Sequence, residues 1–220
     1  VPGCLTVTDR AVFLDRDGVL NPNVFYADTR RWESPRRVEE FSLCPGVLVA
    51  LRALQGAGYA LFLVSNQPNT VNGKSSFVQL AGMHALLAES LGRAGVRLRG
   101  AFYCTHAPVV SGACACRKPS PWFLDRAIQA HGLRAQECWM IGDRATDMEC
   151  GRAAGVRTVW VRTGQEPRVP QPALCDWTAA NLPEAVEQIL RERTVLQDAA
   201  ATAPGADAVG GRTIRVSSSE

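Results

Sequence analysis

No apolar run in this chain of 220 residues approaches the ~20 needed to cross a bilayer, so no membrane span is expected. Charge of one sign is also scarce. Lys and Arg number 24 against 21 Asp and Glu, and the resulting +3 is too weak to argue for nucleic acid on electrostatics alone. The opening stretch VPGCLTVTDR lacks the pattern of a signal peptide, and no internal repeat is visible. Cysteine, by contrast, is plentiful at eight residues. Three of them, Cys104, Cys114 and Cys116, bunch with His106, while Cys4, Cys44, Cys138, Cys150 and Cys175 are scattered. A chain of this length can bury a full core without disulfide staples, so a reducing, cytoplasmic setting is expected. The scattered cysteines then read as small buried hydrophobes.

Apolar runs alternate with segments of helical period. AVFLD (11–15), YALFLVSN (59–66), LRGAFYC (98–104), CWMIGD (138–143) and VRTVWV (156–161) read as strands. Between and after them lie five helix patterns, starting near Pro45, Ser75, Ser120, Ala145 and Asn181. In the second, Phe77, Leu80, Leu87 and Leu91 fall on one side. In the third, Ser120 is the expected N-cap, Pro121 the first helical residue and Gly132 the C-cap. Strands separated by helices predict an α/β fold, a Rossmann-like doubly wound parallel sheet with helices on both faces. The stretches between strands are too short for an inserted cap domain. Residues 21–44 show little periodicity and read as a long active-site loop. The expected domain is 1–194, and the Ala-, Gly- and Ser-rich segment 195–220 reads as a disordered tail.

In such a sheet the reactive site lies beyond the carboxyl ends of the strands. The first strand ends in LDRDGVLN, placing Asp15 and Asp17 two apart, with Gly18 allowing a sharp turn. The second ends in Ser65-Asn66, and the fourth in IGDRATDM, which supplies Asp143 and Asp147. Lys118 arrives from the cysteine-bearing loop. A DxD pair alone is a common surface pattern, a serine at a strand end is usually a cap, and a lone lysine is usually solvated. Acidic residues at the ends of different strands, each preceded by an apolar run, are harder to explain as solvated loops. Facing carboxylates would repel unless a hard cation sat among them, and Mg²⁺ with oxygen ligands fits.

FLDRDGVLN, LVSNQ, CRKP and MIGDRATDM together resemble the four motifs of the haloacid dehalogenase superfamily of phosphatases. The Cys-x-His and Cys-x-Cys-Arg-Lys-Pro pattern is similar to the branch of D-glycero-D-manno-heptose 1,7-bisphosphate and histidinol-phosphate phosphatases. The likeness spans roughly residues 10–165. It implies that Asp15 is the nucleophile and forms an aspartyl-phosphate. It also implies that Mg²⁺ is held by Asp15, the Asp17 backbone carbonyl and Asp143. Asp17 would then act as acid and base, Ser65 and the Asn66 amide would bind the phosphoryl oxygens, and Lys118 would neutralise charge. Asp147 would orient Lys118 or an outer-shell water; it reads equally well as a carboxylate capping a helix N-terminus.

Cys104, His106, Cys114 and Cys116 form a complete four-ligand set, as in a closed structural Zn²⁺ site. With no position left for substrate, such a zinc would act mechanically, pinning Arg117 and Lys118 through Cys116. His84 and His131 sit in helix patterns and read as non-functional.

An uncapped site leaves substrate choice to short loops. Arg117 is expected to meet the substrate or its phosphate. RRWESPRR carries four arginines that could meet a second phosphate, or simply form a solvated basic face. After SNQ the chain departs from the family pattern: Asn69 replaces a glycine, Asn72 an arginine, and Lys74 is placed to restore that charge. The favoured expectation is removal of the C7 phosphate of a small phosphorylated sugar by a cytoplasmic, Mg²⁺- and Zn²⁺-containing enzyme that could be a monomer, with no nucleic-acid or membrane partner. A histidinol-phosphate phosphatase, a DNA 3′-phosphatase and a non-catalytic zinc-stabilised binding module are the alternatives.

Overall fold

The structure, a computed structural model, describes residues 8–164 and 175–202; Cys4 and residues 203–220 lie outside them. Strand β1 (Ala11–Leu14) is followed by a hairpin, β2 (Val24–Tyr26) and β3 (Arg31–Glu33), and then by helix α1 (Val47–Gly56). Next come β4 (Ala60–Asn66), α2 (Phe77–Arg93), β5 (Leu98–Cys104) and the single-turn α3 (Pro108–Ser111). The remainder is α4 (Trp122–His131), β6 (Trp139–Gly142), α5 (Ala145–Ala153), β7 (Arg157–Val161), β8 (Trp177–Ala179) and α6 (Leu182–Thr202).

Six strands form one parallel sheet in the order β5-β4-β1-β6-β7-β8. All four residues of β1 are fully buried, as expected for a strand covered on both faces. Alternation along it sorts the core into two layers. Val12 and Leu14 pack with Leu51 and Leu54 of α1, Leu87 and Leu91 of α2 and Ile189 of α6. Ala11 and Phe13 face the other way, toward Leu124 and Ala127 of α4 and Cys150 of α5. Each fully buried leucine or phenylalanine contributes about 1.5–3 kcal/mol, so this sandwich is the rigid base on which the strand ends are fixed. Among the described residues no helix is long and apolar enough to cross a membrane.

Four expectations need correction. The segment 21–44 is not a featureless loop, since β2 and β3 pair antiparallel within it. Three-residue strands are too short to show a period, and the pairing is visible only in cross-strand contacts such as Phe25 against Trp32, 5.6 Å between rings. Helical structure does not stop near residue 195 but runs to Thr202, consistent with the alanines at 199–201, the best helix formers. Pro121, not Ser120, is the N-cap of α4, while the Ser120 hydroxyl accepts from the Trp122 amide at 3.3 Å; Gly132 is the left-handed C-cap as expected. Phe77 is 58% exposed, unlike Leu80, Leu87 and Leu91, because it opens α2 at the surface.

Candidate active site and metal centres

Sheet order reverses at β1, whose neighbours are β4 on one side and β6 on the other, which opens a crevice at the carboxyl ends of β1 and β6. Asp15 directly follows β1, its amide donating to the Ile141 carbonyl at 3.0 Å. Asp143 directly follows β6. Gly18 lies at φ +83° and a Cβ there would stand 2.2 Å from Asp143 Oδ2; one at Gly164 would stand 2.1 Å from the same oxygen. Only glycine at these two turns leaves room for the Asp143 carboxylate.

Lys118 enters this crevice from the loop after β5, and only 3% of it is exposed. Its Nζ lies 3.0 Å from Asp15 Oδ1 and 2.6 Å from Asp147 Oδ1, and donates to the Val64 carbonyl at 2.8 Å. Asp147 fulfils both roles open to it in the sequence. Oδ1 faces Lys118, and Oδ2 accepts the Arg144 amide at the start of α5 at 3.1 Å.

The crevice is electrostatically frustrated. Burial raises the Asp15 carboxyl to about 6; Lys118 pulls it down, while Asp147 and Asp17 push it up. Asp143 is raised well above the ordinary carboxylate range, first by burial and then by Asp15 and Asp147. Burial alone would lower Lys118, but Asp147 and Asp15 outweigh it and hold the ammonium charged. Both carboxylate oxygens of the 1%-exposed Asp143 lack a hydrogen-bond partner. Leaving such a group unpaired is costly, and oxygens of Asp15, Asp143 and Asp147 lie within 4.8 Å of one another. That donor set, all hard oxygen, suits Mg²⁺. Asp147 has both oxygens engaged, by Lys118 and the Arg144 amide, whereas Lys118 and the Arg16 amide meet Asp15 at Oδ1, so Asp15 and Asp143 are the carboxylates with oxygen left to hold it.

The second cluster has the opposite donor chemistry. Cys104 Sγ lies 3.7 Å from both His106 Nδ1 and Cys114 Sγ, and Cys116 Sγ lies 3.4 Å from His106 Nδ1 and 3.9 Å from Cys114 Sγ. Bonds of about 2.3 Å to a tetrahedral Zn²⁺ give sulfur–sulfur edges of about 3.8 Å, so these residues fit a closed zinc site. The other cysteines among the described residues are unpaired, and Cys138, Cys150 and Cys175 are buried. Of the remaining histidines, His84 Nδ1 meets the Tyr103 hydroxyl at 3.0 Å, and His131 tilts against the Phe62 ring.

A cavity of about 740 Å³ opens above Asp15, Asp17 and Lys118, walled by the β2–β3 hairpin, residues 66–74 and the cysteine loop. Asn66 and Arg117 line it. The Asn66 side chain also brackets Lys118, donating to its carbonyl and accepting its amide, each at 3.1 Å. Ser65 is buried, its hydroxyl 2.9 Å from Gln67 Nε2.

The four arginines at 30–37 do not act together. Arg36 pairs with Asp28 and Glu33 and stacks 3.8 Å over Tyr26, and Arg37 pairs with Glu40. Among the four, Arg31 alone lines the cavity. Nor is Lys74 a free cation, since Glu33 holds it at 2.6 Å. Sequence reasoning missed the fully buried Arg16, as well as Gln67 and Asn21, which surround Asp17. The only available signals were a cation between two acidic residues and an amide closing the SNQ stretch.

The HAD-hydrolase-like family model matches residues 115–190. A D-glycero-β-D-manno-heptose-1,7-bisphosphate 7-phosphatase of Yersinia pestis is 33% identical over 192 residues, covering 83% of this chain and 98% of its own length. The Salmonella typhi enzyme of the same name is 34% identical over 187 residues, covering 81% and 95%. The crystal structure of a D,D-heptose 1,7-bisphosphate phosphatase from B. bronchiseptica, complexed with magnesium and phosphate, superposes with a TM-score of 0.71. It is 25% identical and covers 83% of this chain and 99% of its own. With carboxylates and a lysine gathered at the strand ends and a four-ligand loop beside them, this chain belongs to the HAD-like hydrolases, in the family of the heptose-1,7-bisphosphate 7-phosphatases.

Proposed function

We propose that the chain is a Mg²⁺-dependent phosphatase that removes the C7 phosphate of D-glycero-β-D-manno-heptose 1,7-bisphosphate. The observation that carries this is the meeting of Asp15, Lys118, Asp143 and Asp147 beneath an open cavity that Asp17 also lines. A binding module has no use for so costly an arrangement.

In this reading an Asp15 carboxylate oxygen attacks phosphorus. The bond from phosphorus to the sugar oxygen breaks, its electron pair staying on that oxygen, which takes a proton from Asp17. Water then attacks the aspartyl-phosphate while giving its proton to Asp17, and the bond from phosphorus to Asp15 breaks. Lys118, held between Asp15 and Asp147, keeps the nucleophile aimed and offsets charge on the phosphoryl oxygens. Ser65 and the Asn66 amide bind those oxygens, and Arg117 meets the substrate at the rim. Asp15 and Asp143, with the Asp17 carbonyl, would hold Mg²⁺, which when bound screens the charge between carboxylate and phosphate. Zn²⁺ on Cys104, His106, Cys114 and Cys116 would order the loop that delivers Lys118. Because that site needs reduced thiols, we place the protein in the cytoplasm.

The test compares kcat/KM for heptose 1,7-bisphosphate, histidinol phosphate and a 3′-phosphorylated oligonucleotide. Preference for the heptose by tenfold or more is expected; preference for either of the others would replace this substrate assignment.

A further inference from the structure

Asp17 does not stand free in the cavity. Its Oδ1 accepts from Arg16 Nη2 at 2.9 Å, Arg16 Nε at 3.1 Å and Asn21 Nδ2 at 3.0 Å. Its Oδ2 accepts from Gln67 Nε2 at 2.5 Å and Arg16 Nη2 at 3.2 Å. Gln67 is the hub. The same Nε2 lies 2.9 Å from the Ser65 hydroxyl, and its Oε1 accepts from Arg16 Nη2 at 3.1 Å. Its backbone is fixed too, the amide donating to the Cys104 carbonyl at 2.7 Å at the end of β5. Arg16 is fully buried and Gln67 is 2% exposed. Burying a guanidinium and an amide this deeply is unfavourable unless they are paired, and much of their pairing is spent on Asp17.

We propose that Gln67, backed by Arg16, is a positioning residue that sets the orientation of Asp17 for proton transfer to and from the substrate oxygen. Arg16 Nη2 reaches both Asp17 oxygens, and Gln67 Nε2 meets Oδ2 from the end of β4, so the carboxylate is gripped from two separate segments and its orientation is fixed. By also holding Ser65, Gln67 ties the proton-transfer group to the phosphate-binding hydroxyl. The assignment rests on the phosphatase reading above and goes one step beyond it.

The experiment uses the full chain with Gln67→Met, which keeps length and bulk but loses the carboxamide. kcat/KM is measured for heptose 1,7-bisphosphate and for p-nitrophenyl phosphate, alongside the melting temperature. Both rate constants report steps up to departure of the leaving group. The sugar alkoxide needs a proton as it leaves; nitrophenolate does not. A loss of about 100-fold on the sugar phosphate with about threefold or less on the nitrophenyl ester is expected. Equal losses on the two esters, or no loss on the sugar phosphate, would overturn the assignment. If Gln67→Met does not fold, Gln67→Asn, which retains the amide but withdraws it by one methylene, is held to the same ratio. Turnover of neither ester by the wild-type chain would instead remove the phosphatase reading, and this assignment with it.

Discussion

The floor and the rim of the cavity treat their carboxylates in opposite ways. On the floor, at the strand ends, burial pushes Asp15 and Asp143 up, Asp147 and Asp17 adding to the rise of Asp15 against the pull of Lys118, and Asp15 and Asp147 adding to that of Asp143, which keeps two oxygens without partners. On the rim, Glu33 is shared by Lys74 and Arg36, Asp28 by Arg36, and Glu40 by Tyr26 and Arg37, and all three are held below their ordinary range. The carboxylates of the rim are satisfied by their own neighbours. The floor is left unsatisfied and can be completed only by something that arrives. Stability and chemistry are thus separated by a few residues, the rim stabilising its own shape and the floor storing unfavourable charge for a cation and a phosphate.

The largest effect should come from Asp15→Asn. Phosphate release should fall by about 10⁴-fold or more, with the circular dichroism spectrum unchanged. Turnover at the wild-type rate would show that the nucleophile lies elsewhere. Lys118→Met should follow, at about 10²–10³-fold in kcat. It should also destabilise the fold by about 3–5 kcal/mol, because Asp15 and Asp147 lose their buried counter-charge.

Asp143→Asn sharpens the contrast, since the variant should lose activity and gain stability. A buried carboxylate whose pKa is raised on folding destabilises the native state once the pH exceeds its unfolded value, so removing its charge relieves the fold at neutral pH. In the metal-free protein the melting temperature should rise, by about 2–4 °C for each kcal/mol relieved, and added Mg²⁺ should no longer raise it. A lower melting temperature would mean that the floor is not frustrated.

The loop of Cys104, His106, Cys114 and Cys116 lies between the two regimes. A chelator selective for Zn²⁺ should lower melting temperature and kcat together. Removal of Mg²⁺ alone should abolish kcat and leave the loop ordered. Loss of Lys118 delivery without any change in melting would break the mechanical account of this cluster.

Floor and rim also differ in how much of each could be read from the sequence. The Cys/His cluster lies within 104–116, and its chemistry is local, so spacing alone brought these four residues to notice. Asp15 and Asp143 are far apart in the chain, but each follows an apolar run whose placement in a parallel sheet is almost forced, and Lys118 was marked by the CRKP stretch beside the cysteines. The rim offered no such handle. Whether Lys74 meets substrate or Glu33 depends on the register of a three-residue hairpin, and four neighbouring arginines found different fates once Asp28, Glu33 and Glu40 were brought beside them. Strand β8 escaped for the same reason, three residues being too few to show alternation. Arg16 was hidden by convention, because a guanidinium is expected in water and this one is fully buried.

The smallest expected effect tests the self-satisfied rim. Tyr26 donates its hydroxyl to Glu40, whose Oε2 also accepts the Arg36 amide at 2.9 Å. Burial opposes ionisation of Glu40, but these donors and Arg37 outweigh it and bring the carboxyl down to about 2 from 4.5; burial and Glu40 raise Tyr26 to about 12. For a depressed carboxyl the stabilisation is complete above its unfolded value and is lost as pH falls from about 4.5 through about 2. For the raised tyrosine it is complete below 10 and is lost as pH rises toward about 12. Both groups are partly solvated, so Tyr26→Phe should cost only about 1 kcal/mol at neutral pH. Denaturant unfolding of wild type and variant at several pH values checks it. The gap should narrow as pH falls below about 4.5 and close only below about 2, where Glu40 is protonated in either protein. No gap at any pH would mean that Tyr26 supports the hairpin through its ring, which phenylalanine keeps stacked on Arg36, and not through its hydroxyl.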